Sequence, residues 1–177
     1  DVERSRGLGD VYKRQASRSP EAVSKMLADI GLEATTQQIV TSAQAVLQLV
    51  ADEVPAASKL LIIGADSFRD LAREMGFEVV SSADDKPAAV VQGFDRSVGW
   101  EQLTEGALAI RQGAKFFASN LDTSLPIERG FAVGNGSLVA AIQSATGVEP
   151  VSAGKPSPAM FTFAAKQIGA KKPLAVG

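Results

Sequence analysis

The segment Ala153-Gly154-Lys155-Pro156-Ser157-Pro158 sets a lysine between a short apolar strand and a proline-started helix. In open α/β sheets, ligands bind at the carboxyl ends of the strands. A helix N-terminus at that place adds partial positive charge and free N–H groups. Lys155 so placed suits an anion such as phosphate, as a mobile point charge. The plainer alternative is a solvated loop lysine. Ser119-Asn120-Leu121-Asp122-Thr123 follows the apolar Phe116-Phe117 pair, again at a strand's carboxyl end. Asn120 and Asp122, at alternate positions, can face one cavity and offer donors and acceptors to hydroxyl groups. Their alternative is an Asx-type turn, the common use of such residues in loops. Gly134-Asn135-Gly136-Ser137 resembles a phosphate-cradling turn but lacks the rest of a GxGxxG or P-loop pattern, so it reads mainly as turn chemistry. Asp66 and Asp95 each stand just past a strand; either could line a pocket, and capping the helix that follows is the favoured role.

The absences narrow the chemistry further. The 177 residues include no cysteine and no histidine. That excludes disulfides, thiolate nucleophiles, the usual structural zinc sites and every triad with an imidazole base. Catalysis would have to use Asp, Glu, Lys, Arg, Ser or Thr. Metal binding would use hard oxygen ligands, which suit magnesium or calcium. With 18 basic against 20 acidic side chains, the net charge of -2 gives no basic excess for a phosphate backbone, so a nucleic-acid partner is not expected. No apolar run approaches the ~20 residues of a membrane span, and no signal-peptide core is present. A membrane partner is therefore not expected, and a cytoplasmic location is the default. A composition of 45% apolar and 21% charged residues is that of a globular protein.

The elements that must position these residues alternate between helix and strand. Ser19-Pro20 starts a helix whose Val23, Met26, Leu27 and Ile30 share one face, with Gly31 at its end. Gln38 to Thr41 reads as a short β-branched strand. Ser42 caps a helix with Val46, Leu47 and Val50 on one face, stopped by Pro55. Lys59 to Ile63 is an apolar strand turned by Gly64, and Ser67 to Met75 a helix stopped by Gly76. Phe77 to Ser81 and Ala88 to Gln92 read as strands joined by a polar turn. Trp100 to Gln112 is a helix with Leu103, Ala107 and Ile110 inward, followed by a strand at Phe116 to Ala118 and a loop through Asp122, Pro126 and Gly130. Gly136 to Thr146 and Pro158 to Ile168 are helices; Pro150 to Ala153 and Leu174 to Val176 are strands. Short apolar strands between helices of about three turns predict an α/β fold with a largely parallel sheet covered on both faces.

The ends differ from the middle. Residues 1–15 are polar and aperiodic, and Asp10 to Gln15 resembles a translated sequencing-library adapter; they read as a non-native scar. A strand ending the chain at Val176 suggests a fragment with its flanks missing. The run of elements from Ala57 to Gly147 is complete enough for a small domain, and the pieces around it are not. The expected organisation is therefore an inserted α/β domain over 57–147 between two pieces of another domain, 16–56 and 148–177.

Taken in order, the S-N-L-D-T-x-x-P, R-G-x-x-x-G-N-G-S and A-G-K-P-S-P segments resemble the haloacid dehalogenase (HAD) superfamily, class IIA phosphatases. The resemblance runs from about Ala16 to Gly177 and lies nearest the bacterial glycerol 3-phosphate phosphatases. It implies HAD-like Rossmannoid core fragments with a large inserted α/β cap domain. Lys155 matches the lysine that contacts the phosphoryl group and the nucleophilic aspartate. Asn120 and Asp122 match a cap segment that faces the active site and would bind substrate. Residues 16–19 match the stretch after the second family motif, and Lys13-Arg14-Gln15 stands where that motif belongs. The implied activity is hydrolysis of small phosphate monoesters, glycerol 3-phosphate or sugar phosphates, through an aspartyl-phosphate with Mg2+. The nucleophile, the acid/base residue and the magnesium ligands would lie outside these 177 residues, leaving the fragment inactive. The implied partner is a small phosphorylated metabolite, and a homo-oligomer is compatible with it. From a different class, a non-catalytic nucleotide- or metabolite-binding α/β module would use Asn120, Asp122 and Lys155 as ligand contacts alone.

Overall fold

The computed structural model describes residues 20–154, 157–167 and 169. Helix α1 (Pro20–Asp29) leads through a 3-10 turn (Thr36–Gln38) to α2 (Ser42–Glu53). Then come β1 (Lys59–Ile63), α3 (Asp66–Glu74), β2 (Glu78–Val80), β3 (Ala89–Gln92), α4 (Trp100–Arg111) and β4 (Lys115–Ala118). A hairpin of β5 (Ser124–Ile127) and β6 (Gly130–Val133) precedes α5 (Asn135–Thr146), β7 (Val151–Ser152) and α6 (Ala159–Gln167). Strands β2-β1-β3-β4-β7 form one sheet in that order, and every pair in it is parallel.

The alternation of side chains along each strand builds two cores. Leu60, Ile62, Val91 and Phe117 face α2 and α3 with Val46, Leu47, Val50, Phe68 and Ala72, and α6 adds Ala159 and Met160 at the margin. Leu61, Ile63, Val90, Phe116 and Ala118 face α4 and α5 with Ala109, Ile110, Val139 and Ile142. The sheet is thus buried on both faces, as its near-continuous apolar strands predict. The α/β class with a parallel sheet is what the sequence led us to expect.

Several local expectations are corrected. Residues 38–41 form no strand among the described residues. Thr41 instead caps α2: its Oγ1 accepts from the Gln44 backbone N–H at 3.2 Å, and Gln44 Oε1 accepts from the Thr41 N–H at 2.8 Å. That reciprocal pair satisfies two helix-end donors at once, which outweighs the β preference of Ile39 and Val40. Ser42 becomes the first helical residue. The strands expected at 77–81 and 88–92 are present as β2 and β3, each parallel to β1, on opposite sides of it. The polar turn between them is a crossover through a 3-10 turn at Ala83–Asp85. The stretch after Asp122 is an antiparallel hairpin in which Pro126 faces Phe131. Pro126 lacks a ladder donor, and a two-stranded ribbon tolerates this because each strand is an edge. The strand at Leu174 to Val176 lies outside the described residues.

The described residues pack across the expected boundaries at 56/57 and 147/148. β7, assigned outside the insertion, is the edge strand of the sheet. α2, also assigned outside, supplies one core with Val46, Leu47 and Val50, all at 0% exposure. The physical reason is coverage: without α2 the Leu60, Ile62 and Val91 face would lose its main apolar partner. The outer segments do meet, with α6 packed on α2 and Gln167 Nε2 donating to the Gln37 carbonyl at 2.8 Å.

Gly106 fixes how closely α4 approaches the sheet. A Cβ there would stand 2.6 Å from Ile63 Cδ1 and 3.2 Å from Ile142 Cδ1. Replacing Gly106 by Val should therefore cost about 1–3 kcal/mol through overpacking. Urea unfolding of parent and variant measures the loss.

Candidate functional site

The parallel ladder brings the carboxyl ends of its strands to one edge. The bonding runs one residue past the strands: Gly93 N–H donates to the Ile63 carbonyl at 2.8 Å, Ser119 N–H to Gln92 at 2.8 Å, and Ala153 N–H to Ala118 at 3.1 Å. The chain then leaves β4 as Ser119 to Thr123 and leaves β7 as Ala153-Gly154, side by side. A Cβ on Gly154 would lie 2.7 Å from Asn120 Cα and 2.9 Å from its Cβ. Only a glycine allows this approach of backbone to backbone. The residue next after Gly154 in the chain is Lys155, which lies outside the described residues.

The 119–123 loop is held mainly through its carbonyls. Asn135 Nδ2 donates to the Asn120 carbonyl at 2.8 Å. Gly136 N–H donates to the Asp122 carbonyl at 2.8 Å, Gly134 N–H to the Thr123 carbonyl at 2.9 Å, and Ser137 Oγ also to Thr123, at 2.7 Å. The donors are the N-terminal groups of α5, which no helical carbonyl can satisfy. Gly134 and Gly136 press so closely that a Cβ on either would strike the loop: Asp122 O from Gly134, Leu121 O from Gly136. The Gly134-Asn135-Gly136-Ser137 segment, read from sequence as turn chemistry, is thus the clamp on the loop that carries Asn120 and Asp122. Its two glycines on either side of a buried asparagine were the signal; what they approach lies ten to fifteen residues back along the chain.

Within the loop, Asn120 Oδ1 accepts from the Asp122 N–H and Asn120 Nδ2 donates to Ser119 Oγ, both at 3.3 Å. Asn120 is half-buried and does make the Asx-type turn that was its alternative role. Asp122 is exposed, and its carboxylate has no hydrogen-bond partner among the described residues. It stands open to solvent. The other two acids do local work. Asp66 pairs with Arg69 at 2.8 Å from the first turn of α3. Asp95 does not cap a helix: it accepts from Ser97 N–H at 2.8 Å and Ser97 Oγ at 2.6 Å. Those bonds hold the Asp95 carboxyl below its ordinary value of 3.8, with help from the Arg69 charge and against partial desolvation. A cavity of about 640 Å³ opens between the 94–98 loop and the hairpin, with Asp95, Arg96, Glu128 and Arg129 among its lining residues. Among the described residues no group of three or more Asp or Glu could hold a metal ion.

Two outcomes test this geometry. Gly136→Ala should displace the loop, costing about 1–3 kcal/mol and moving the backbone amide NMR signals of residues 120–123. Ser97→Ala should raise the pKa of Asp95 toward its ordinary value, as a carboxyl-carbon NMR titration would read. The sign follows from linkage. A depressed folded pKa contributes stability above pH 3.8, lost as pH falls through the folded value. The parent's stability advantage over Ser97→Ala should accordingly be present at neutral pH and vanish on strong acidification.

Comparison with known proteins places this arrangement. The family model for haloacid dehalogenase-like hydrolases matches residues 15–78. The chain is 43% identical over 162 residues to a D-glycerol 3-phosphate phosphatase of Mycobacterium tuberculosis, covering 92% of this chain and 46% of that protein. It is 36% identical over 154 residues to a 5'-nucleotidase of Bacillus subtilis, covering 87% of this chain and 59% of that protein. A solved glycerol phosphate phosphatase from Mycobacterium tuberculosis, in complex with magnesium, superposes with a TM-score of 0.84 at 42% identity, over 88% of this chain and 47% of that one. The chain thus spans about half the length of the curated relatives it matches. Motifs, sheet and relatives agree in likening the chain to the haloacid dehalogenase-like hydrolases.

Proposed function

We propose that the whole protein of which these residues form part hydrolyses small phosphate monoesters, with glycerol 3-phosphate the first choice and sugar phosphates the next. The observation that carries the proposal is the packing of Gly154, one residue before Lys155, against Asn120. It brings the start of the lysine segment beside the loop that ends in the open Asp122 carboxylate. In this proposal Lys155 neutralises charge on the phosphoryl group. Asn120 and Asp122 contact the hydroxyls of the leaving group, and the clamp from α5 keeps them preorganised. The relative named as a glycerol 3-phosphate phosphatase supports the choice of substrate.

Phosphoryl transfer in this family resemblance goes to an aspartate and then to water. Magnesium, when bound, neutralises charge on the transferring group. Its ligands, the nucleophile and the acid/base residue belong in this proposal to parts of the protein outside the 177 residues. The residues present bind and orient. Lys155 supplies a positive charge where negative charge shifts in the transition state, which is worth more than the same charge in water. A small phosphorylated metabolite in the cytoplasm is part of the same proposal. Among the described residues no helix is long and apolar enough to cross a membrane.

A steady-state phosphate-release assay on the complete protein tests it. Turnover of glycerol 3-phosphate should require magnesium. Lys155→Met should lower kcat by about 10²–10³, the usual cost of losing one preorganised electrostatic group. Asp122→Ala should change the ranking of substrates more than the rate on the best one. The 177-residue chain alone should release no phosphate. A Lys155→Met enzyme as fast as the parent would overturn the assignment.

A further inference from the structure

Gln92 ends the central strand β3 with its side chain completely buried, at 0% exposure. Neither its Nε2 nor its Oε1 has a hydrogen-bond partner among the described residues. Asn135, at 2% exposure, has its Oδ1 in the same condition. A buried amide left unpaired is costly, and the large majority of buried side-chain polar atoms in native proteins are paired. Two such amides on one face of one sheet require a common account.

Their positions supply it. Gln92 lies across the ladder from Ile63 and Ala118, and strand alternation puts its side chain on the side of Val90. That is the core shared with Val139 of α5. From Val90 to Gln92 is two strand residues, about 6.6 Å toward the carboxyl end. From Val139 back to Asn135 is four helical residues, about 6 Å, toward the same end, because α5 runs antiparallel to the strands. The two amides therefore reach the same level, beneath the Ser119–Thr123 loop. The neighbour of Gln92 there on β4 is Ala118, which has a short side chain.

We propose that Gln92 and Asn135 hold a buried hydration site, with at least one internal water accepting from Gln92 Nε2 and donating to Asn135 Oδ1. Polar surroundings with three otherwise unpaired atoms meet the two to four partners that a buried water needs. The site has a consequence for the loop. The water gives Oδ1 a donor, so the Asn135 amide keeps the orientation in which Nδ2 faces the Asn120 carbonyl. A flipped amide would set oxygen against oxygen. Gln92 is thus a positioning residue, acting through water and Asn135 on the backbone of Asn120.

The test uses the 177-residue chain. Water–amide NOE spectra should show a long-lived water at the side-chain amide protons of Gln92. Gln92→Met, which keeps the length and removes the polar atoms, should lower Tm and shift the Asn135 side-chain amide signals. A truly unpaired Gln92 would behave oppositely, since methionine would remove a penalty and raise Tm. In a cycle with Asn135→Ala, the double variant should lose less than the sum of the singles, because both act on one water. No water NOE, a raised Tm or strict additivity would each overturn the proposal. The effect on substrate rests on the function proposed above: in the complete enzyme Gln92→Met should raise KM severalfold with kcat nearly kept. An unchanged KM, with the water and the lowered Tm both observed, would refute the role of Asn120 in substrate binding and leave the hydration site standing.

Discussion

Everything at the candidate site depends on the contact between the first turn of α5 and the carbonyls of the 119–123 loop. A loop past a strand has backbone acceptors without partners, and a helix N-terminus has donors without partners. Here each satisfies the other: Gly136 N–H serves Asp122, Gly134 N–H and Ser137 Oγ serve Thr123, and Asn135 Nδ2 serves Asn120. The approach is closer than any side chain would permit, so two glycines are required. The bonds hold the main chain and leave the Asp122 carboxylate unused. The loop can therefore be both ordered and chemically open, which a binding segment needs.

The clamp works only if α5 and β4 are themselves fixed. Val139 and Ile142 anchor α5 on the Ile63, Val90 and Ala118 face of the sheet. Phe117, completely buried, anchors β4 on the opposite face against α2 and α3. The parallel arrangement then sends the exits of β1, β3, β4 and β7 to one edge, so Gly154 arrives beside Asn120 with no special device beyond its missing side chain. This is the general reason ligand sites gather at strand carboxyl ends in such sheets. The cost of burying the ladder on both sides is low, because its residues are nearly all apolar. Among the described residues Gln92 is the one polar strand residue buried completely, and it sits at the end of the strand nearest the loop.

Local patterns carried much of the fold. β1 was legible residue for residue, because five apolar-rich positions between Ser58 and Gly64 leave little choice. Helix ends at Gly31 and Gly76 were legible in the same way, since each adopts the positive φ that glycine alone takes without strain. The errors came where a tertiary or reciprocal partner decided. Ile39 and Val40 have strand character, but Thr41 and Gln44 form a helix cap instead. Residues 78–80 and 89–92 form the two strands expected, and only the packing shows that each lies against β1. The hairpin after Asp122 was hidden by Pro126, which argues against a strand unless the strand is an edge.

The sequence by itself determined the class of fold, the absence of imidazole and thiol chemistry, and which short segments belong at strand exits. Those follow from composition and from periods of two and 3.6 residues, which are properties of neighbours along the chain. The tertiary structure decided which exits meet. That α2 and β7 belong to the same packed unit as β1 to β4, that the Gly134–Ser137 turn grips the loop before it, and that Gly154 touches Asn120 are contacts between residues 10 to 100 positions apart. No local pattern encodes them. They arise because a sheet buried on both faces must be covered by whichever helices return to it, and because backbone groups at strand and helix ends must find partners.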